Sequence, residues 1–251
     1  MINIITPELW GKMNIDWLQA KHLYSFGQYY NPSRMGFGPL RVVNHDIIAA
    51  GKGFDPHPHS NMEIITIILE GELHHADTFG GHGVIRVGDV QRMSAGTGIT
   101  HSEINASDKS TRLFQIWVEP DSYHLTPSYE QRSFDQLAPA TVLISPDQRD
   151  NSLIIHQNLT IRHIRLEKDE QWTSQKDFST CLLIGNGAVN LRDTPLPRGT
   201  AFEIDKDEAS ITVTATERHR SLRDQLAIID WTYRERLVMI QKYSILCHYL
   251  N

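Results

Sequence analysis

The stretch GFDPHPHSNMEIITIILEG, Gly53 to Gly71, places His57 and His59 one residue apart and beside prolines. In an extended segment, residues two apart point to the same face. Pro56 and Pro58 favour extended backbone in the residues before them and remove two backbone donors, which predicts a strand at a sheet edge. Both imidazoles therefore project to one side, an arrangement that can hold two ligands of a metal ion.

A second pair of candidate ligands lies farther along the chain. The segment SAGTGITHSEIN, Ser94 to Asn105, turns at glycines and then carries His101 and Glu103, again two residues apart. Two extended segments of this kind can offer three imidazoles and one carboxylate to a single point. Such a donor set leaves open positions on a six-coordinate divalent ion, as in non-haem iron sites that accept substrate or dioxygen. Because the set contains no thiolate, a structural zinc site is disfavoured.

The composition is that of an ordinary globular chain, with 251 residues of which 40% are hydrophobic and 22% charged. The net charge of -6 gives no reason to expect nucleic acid or an anionic membrane as a direct partner. No apolar stretch approaches the ~20 residues of a membrane span, and the first residues lack a signal-peptide pattern. Cys181 and Cys247 are far apart and in no metal spacing, so we expect no disulfide framework and a cytoplasmic location.

Most other segments have the pattern of short strands separated by turn residues. Spacings of about a dozen residues between such strands are typical of sandwiches and barrels. The best helix candidate is 233–250, and a polar stretch at 127–140 separates two groups of strands. β-Branched or alternating runs predict strands at 64–69, 84–89, 112–120, 141–146, 152–157, 159–166, 180–185, 209–215 and 226–231.

Two motifs resemble those of the cupins. The segment 57–71, with its His-x-His-x3-Glu and closing glycine, resembles the first cupin motif. The segment 88–105 resembles the second, with a serine where proline is usual and two extra residues before the histidine. The chain resembles more closely the pirin family and its bacterial pirin-like quercetin dioxygenases. The stretches that carry this likeness are 17–46, 53–77, 91–105 and 115–135.

The resemblance implies an all-β bicupin fold, in which two β-barrels of the jelly-roll type follow one another. Together with the polar boundary, it predicts a metal-binding barrel at 1–130, a degenerate metal-free barrel at 131–231 and an extension at 232–251. We expect a short helix in that extension.

The resemblance also implies a site and an activity. It implies one divalent transition metal, with iron(II) favoured over manganese, cobalt, nickel or copper, held by His57, His59, His101 and Glu103. It implies dioxygenation of flavonols such as quercetin, with the release of carbon monoxide. Glu103 would act as the catalytic base for the substrate hydroxyl.

Several alternatives stay open. Glu63 fits the general cupin glutamate and is a second candidate near the metal. His74 and His75 are adjacent and would face opposite ways, so we interpret them as residues of the surface or the pocket rim. The other functional hypothesis is a metal-sensing or redox-sensing regulatory protein that acts through a protein partner without turnover. A sugar-binding or isomerase cupin is disfavoured because the pirin-like stretches extend beyond the cupin motifs.

Overall fold

The structure is a computed structural model that describes residues 2–134 and 138–216 and the strand at 226–233. The described residues form β-strands almost throughout, apart from 3-10 turns at Pro7–Leu9 and Arg149–Asn151. Among these residues, no helix is long and apolar enough to cross a membrane. The chain divides into two compact units, which we call the N-terminal and C-terminal units.

The N-terminal unit comprises Gly11–Gln131 and contains a seven-stranded and a four-stranded sheet. The orders are β12-β9-β6-β11-β4-β3-β2 and β5-β10-β7-β8, with antiparallel pairing. The strands are β2 Gly11–Ile15, β3 Leu18–His22, β4 Leu40–Ile48, β5 Gly53–His59, β6 Glu63–Glu70, β7 Glu72–Asp77, β8 His82–Arg86, β9 Asp89–Ser94, β10 Ile99–Ile104, β11 Thr111–Val118 and β12 Ser128–Ser133.

The described part of the C-terminal unit combines residues 2–10 with residues 132–134 and 138–216 and the strand at 226–233. It has the same pair of sheets, in the orders β1-β20-β17-β22-β15-β13-β14 and β16-β21-β18-β19. The strands are β1 Ile2–Ile5, β13 Ala140–Ser145, β14 Leu153–Ile154, β15 Leu159–Leu166, β16 Gln171–Thr173, β17 Ser179–Ile184, β18 Ala188–Leu191, β19 Thr194–Pro197, β20 Ala201–Ile204, β21 Thr212–Ala215 and β22 Leu226–Tyr233.

Each unit encloses a core between its own two sheets. In the C-terminal unit, one apolar cluster joins residues of both sheets, such as Leu182 and Phe202 from one and Val189 and Val213 from the other. Among the described residues of the N-terminal unit, one apolar cluster includes Leu73 and another includes Met93. Buried polar residues occupy part of the interior of this unit, and the site described below lies among them.

The predicted bicupin fold is confirmed, with one cupin-type barrel in each unit. β5 lies at the edge of its sheet, as the two prolines predicted. A helix was predicted at 233–250. Tyr233 is instead the last residue of β22, and residues 234–250 lie outside the described residues. The pairing of β1 with β20 brings residues 2–5 into the C-terminal unit, whereas the sequence pattern had grouped them with the first barrel. The predicted domain limits stay a prediction.

Candidate metal centre

The two predicted ligand segments are neighbouring antiparallel strands, β5 and β10. His57 lies directly opposite His101 in their pairing, whereas Glu103 is paired with Phe54. Two residues of β10 therefore span three of β5, which is a β-bulge on β5. Bulges bend a strand and redirect its side chains, and this one lies directly beside His57.

Three imidazoles meet at this end of the barrel. One ligand nitrogen from each of His57, His59 and His101 lies within 4.8 Å of the others. The ring centroids of His57 and His101 are 4.4 Å apart, and the His59 centroid is 4.9 Å from each of them. The structure thus brings together the three histidines that the sequence placed on two separate segments.

The rings of His59 and His101 are neutral, as a metal ion requires of its histidine ligands. Nε2 of His101 is buried and has no hydrogen-bond partner, which is costly for a polar atom in a protein interior. Burial, followed by the neighbouring histidines, lowers the pKa of His59 to about 3 and that of His101 to about 2. Both rings are therefore neutral near pH 7, with lone pairs available. The donor set fits a divalent transition metal.

Glu103 lies beside His101, and its carboxylate is held on both oxygens. Gln115 Nε2 donates to Oε2 at 2.6 Å, and Thr66 Oγ1 donates to Oε1 at 3.3 Å. Gln115 in turn accepts a hydrogen bond from Trp117 Nε1 at 3.2 Å. The Trp117 ring contacts His59 edge-on, with centroids 4.8 Å apart. Side chains from β6 and β11 therefore fix the orientation of the predicted carboxylate ligand.

Comparison with known proteins shows the family to which the chain belongs. The family model described as Pirin matches residues 7–118. A pirin-like protein of Caulobacter vibrioides is 42% identical over 207 residues, which are 80% of this chain and 89% of that protein. The chain belongs to the pirin family. A second family model, described as the quercetinase C-terminal cupin domain, matches residues 142–223 of this pirin.

Other relatives of this pirin carry an enzymatic name or a bound metal. A quercetin 2,3-dioxygenase of Escherichia coli O157:H7 is 47% identical over 210 residues, 82% of this chain and 90% of that protein. The crystal structure of bacterial pirin YhhW from Escherichia coli in complex with nickel(II) has a TM-score of 0.85 and 36% identity. That match covers 93% of this chain and 99% of the other.

A row of polar side chains crosses the interior of the N-terminal unit of this pirin. Strand pairing places His22, Asn44, Gln115, Thr66 and Gln91 opposite one another on five consecutive strands of the seven-stranded sheet. All five side chains are buried. Both amide atoms of Gln91 lack a partner. The sequence carried a weak signal of this row, namely single polar residues within otherwise apolar strands, but their alignment depends on strand register.

Asp46 is a further buried polar residue that sequence reasoning missed. It lies two residues from Asn44 on β4, so both side chains point into the interior. Its Oδ1 is buried without a hydrogen-bond partner. Burial, followed by the negative charge of Glu103, raises the pKa of Asp46 to about 8. The Asp46 carboxyl group is therefore largely neutral near pH 7.

The interpretation of His75 as a surface or rim residue is wrong. His75 is only 3% exposed, and it forms a second ligand-type group with His101 and Glu103, whose donor atoms lie within 4.8 Å of one another. His74 faces the other way, is half-exposed and lies 3.2 Å from Glu72 Oε1. His75 was missed because its position opposite Glu103 depends on the register of β7 against β10.

Glu63, the alternative acidic residue, is buried on β6. Its Oε2 accepts a hydrogen bond from Ser94 Oγ at 2.9 Å, directly across the strand pair. Neither ligand-type group found among the described residues includes Glu63. Its contact with Ser94 links β6 to β9, whereas the carboxylate that forms a ligand-type group with His75 and His101 is that of Glu103.

Proposed function

We propose that this chain is a metal-dependent dioxygenase that opens the ring of flavonols such as quercetin. The metal ligands in this proposal are His57, His59, His101 and Glu103. The observation that carries the proposal is the buried Nε2 of His101, which has no partner and belongs to a group of three closely spaced imidazoles. The relatives named quercetin 2,3-dioxygenase support the choice of substrate class.

We propose iron(II) as the native ion, with manganese, cobalt, nickel and copper as alternatives. Imidazole and carboxylate serve all of these ions, so the ligands alone do not select among them. When bound, the ion would lower the pKa of a coordinated hydroxyl group and bring dioxygen beside the substrate. The nickel(II) complex of the similar Escherichia coli pirin supports a first-row divalent metal.

The chain's own residues would prepare the site before any substrate arrives. His57 Nδ1 lies 2.7 Å from the backbone carbonyl of Asp55, so the proton is on Nδ1 and the lone pair on Nε2. Thr66 and Gln115 hold the plane of the Glu103 carboxylate. Each oxygen keeps a further lone pair, one for the metal and one for the hydroxyl proton of the flavonol. Glu103 is therefore both a ligand and the proposed base.

The burial of the ligands indicates the direction from which a substrate enters. His59, His101 and Glu103 are buried, whereas His57 is only half-buried on the edge strand β5. A planar flavonol would therefore approach on the side of His57. The aromatic face of Phe54, whose ring centroid is 6.1 Å from that of His57, lies on the same strand and offers an apolar contact.

Oxygen uptake with quercetin tests the proposal. The protein would be stripped of metal and reloaded separately with iron(II), manganese, cobalt, nickel and copper. We expect metal-dependent uptake that His59→Ala abolishes, because a ligand is lost. Glu103→Gln should lower turnover at least about 100-fold, because the amide cannot accept the proton. His74→Ala is the matched control and should retain wild-type uptake.

Two outcomes would contradict this function. Metal bound at one ion per chain without oxygen uptake would reject the dioxygenase and favour a metal-sensing protein that acts through a protein partner. Full turnover by metal-loaded Glu103→Gln would reject Glu103 as the base and leave the metal site in place. The cytoplasmic location expected from the cysteines stays a prediction. Cys181 is buried and its thiol is free.

A further inference from the structure

His75 and Asp77 lie on β7, directly beside the ligand strand β10. The pairing places His75 opposite Glu103 and Asp77 opposite His101. Because residues two apart share a face, all four side chains point into the same interior. His75 and Asp77 are outside the proposed ligand set, yet their side chains are completely inaccessible to solvent. Burying two ionisable side chains is costly, so their interactions require an explanation.

The hydrogen bonds around Asp77 determine which of its neighbours carries a proton. Oδ1 of Asp77 accepts from the backbone N–H groups of Phe79 at 2.8 Å and Gly81 at 3.0 Å. Oδ2 lies 3.0 Å from Nε2 of His75. Since the Asp77 carboxylate is the acceptor in these contacts, we assign Nε2 of His75 as the donor to Oδ2. In the neutral ring, Nδ1 of His75 is then the acceptor.

This assignment extends to the proposed metal ligand. Nδ1 of His75 lies 3.4 Å from Nδ1 of His101. Since the His75 nitrogen accepts, the His101 nitrogen must donate, and its proton is on Nδ1. The lone pair of His101 is then on Nε2, the buried nitrogen that has no partner. We propose that Asp77 and His75 form a relay that selects the metal-binding tautomer of His101. Both are positioning residues.

The surrounding packing holds the relay in place. The Tyr129 ring stacks on His75, with centroids 4.7 Å apart and planes at 27°. A Cβ atom at Gly81 would collide with Asp77 Oδ2 and lie 2.7 Å from Tyr129 Cβ, and one at Gly83 would lie 2.7 Å from the Tyr129 hydroxyl. The two glycines therefore leave the space that Tyr129 and Asp77 occupy. Both glycines belong to the glycine-rich segment TFGGHG at 78–83, and the packing of Tyr129 and Asp77 accounts for their small size.

The relay rests on the proposed metal site, and Asp77→Asn tests it with almost no change of shape. The backbone N–H groups of Phe79 and Gly81 require an acceptor, so the amide oxygen takes the place of Oδ1. The amide NH₂ then faces His75 and donates to Nε2. Nδ1 of His75 becomes a donor, Nδ1 of His101 an acceptor, and the proton of His101 moves to Nε2. The variant should thus favour the tautomer in which Nε2 carries the proton, and binding a metal ion would then require the proton to move back to Nδ1.

The first measurement is a nitrogen-15 NMR spectrum of histidine-labelled, metal-free protein. The wild type should show His101 protonated on Nδ1, and Asp77→Asn should show it protonated on Nε2. The second measurement is the affinity for Ni²⁺ by competition with a chelator. Asp77→Asn should weaken it about 10–100-fold, as is typical when a group supporting a metal ligand is lost. His74→Ala, which alters the adjacent half-exposed ring, should change neither result.

The outcomes separate this inference from the proposed function. If the wild type binds no Ni²⁺ but the tautomers switch as described, the relay stands and the metal site fails. If Ni²⁺ binds and both the tautomer and the affinity are unchanged in Asp77→Asn, the relay is overturned. Two Ni²⁺ ions per wild-type chain, one of which is lost in His75→Ala, would also overturn it, because His75 would then be a ligand. His75→Gln, whose amide oxygen can accept from His101, should recover affinity lost in His75→Ala.

Discussion

The two units have the same pair of sheets and different interiors. In the N-terminal unit, a polar row crosses five strands and the histidines and Glu103 face it. In the C-terminal unit, the corresponding space is filled by one cluster of apolar side chains drawn from both sheets. Among the described residues, both ligand-type groups belong to the N-terminal unit. The sheets thus supply the frame, and the residues at inward-facing positions decide whether it encloses a site or a core.

The largest expected effect tests the apolar interior. Phe202→Ala should lower the free energy of unfolding of the C-terminal unit by about 3–5 kcal/mol, because a fully buried ring leaves a cavity. Chemical denaturation followed by fluorescence would measure it. Ni²⁺ affinity should stay at the wild-type value, since the ligands lie in the other unit. Leu9→Ala is the control, because Leu9 is 52% exposed. A loss below about 1 kcal/mol for Phe202→Ala would contradict a tightly packed core.

An intermediate effect is expected when an apolar residue is introduced into the polar interior. Gln115→Leu would remove the donor to Glu103 and the acceptor of Trp117. Leaving buried polar groups unsatisfied should cost about 2 kcal/mol of unfolding free energy, and Ni²⁺ should bind more weakly. Denaturation and chelator competition would measure the two changes. The same substitution at the exposed residue Gln19 on β3 is the control, and equal results for both variants would refute the role of the row.

The smallest effect concerns the buried acid Asp46. Its pKa of about 8 lies above the ordinary value of 3.8, so the folded protein retains a proton that the unfolded chain has lost. The contribution of the protonated Asp46 to the free energy of unfolding is therefore fully present below about pH 4 and is lost as the pH rises through 8. In metal-free protein, Asp46→Asn should remove this dependence. The free energy of unfolding of Asp46→Asn, relative to that of the wild type, should increase by about 1 kcal/mol between pH 7 and 8, as measured by denaturation. A constant difference would contradict a neutral Asp46.

The sequence predicted those features that depend on local pattern. The position of β5 at a sheet edge followed from Pro56 and Pro58, and the common direction of His57 and His59 followed from the alternation of a strand. Tertiary pairing determined what the sequence did not reveal. His75 is adjacent in sequence to the half-exposed His74, and only the register of β7 against β10 places it beside His101.

The pairing of β1 also has a consequence for how the chain is made. Asn3 on β1 donates to Glu203 on β20, which is 200 residues later. At typical translation rates of about 5–20 residues per second, the ribosome needs about 10–40 s to add that length. Residues 11–131 of the N-terminal unit are synthesised during this interval, and Ile2 and Ile4 on β1 have no partner strand until it ends. β1 is thus synthesised long before the strand with which it pairs, and it must be kept from pairing elsewhere until then.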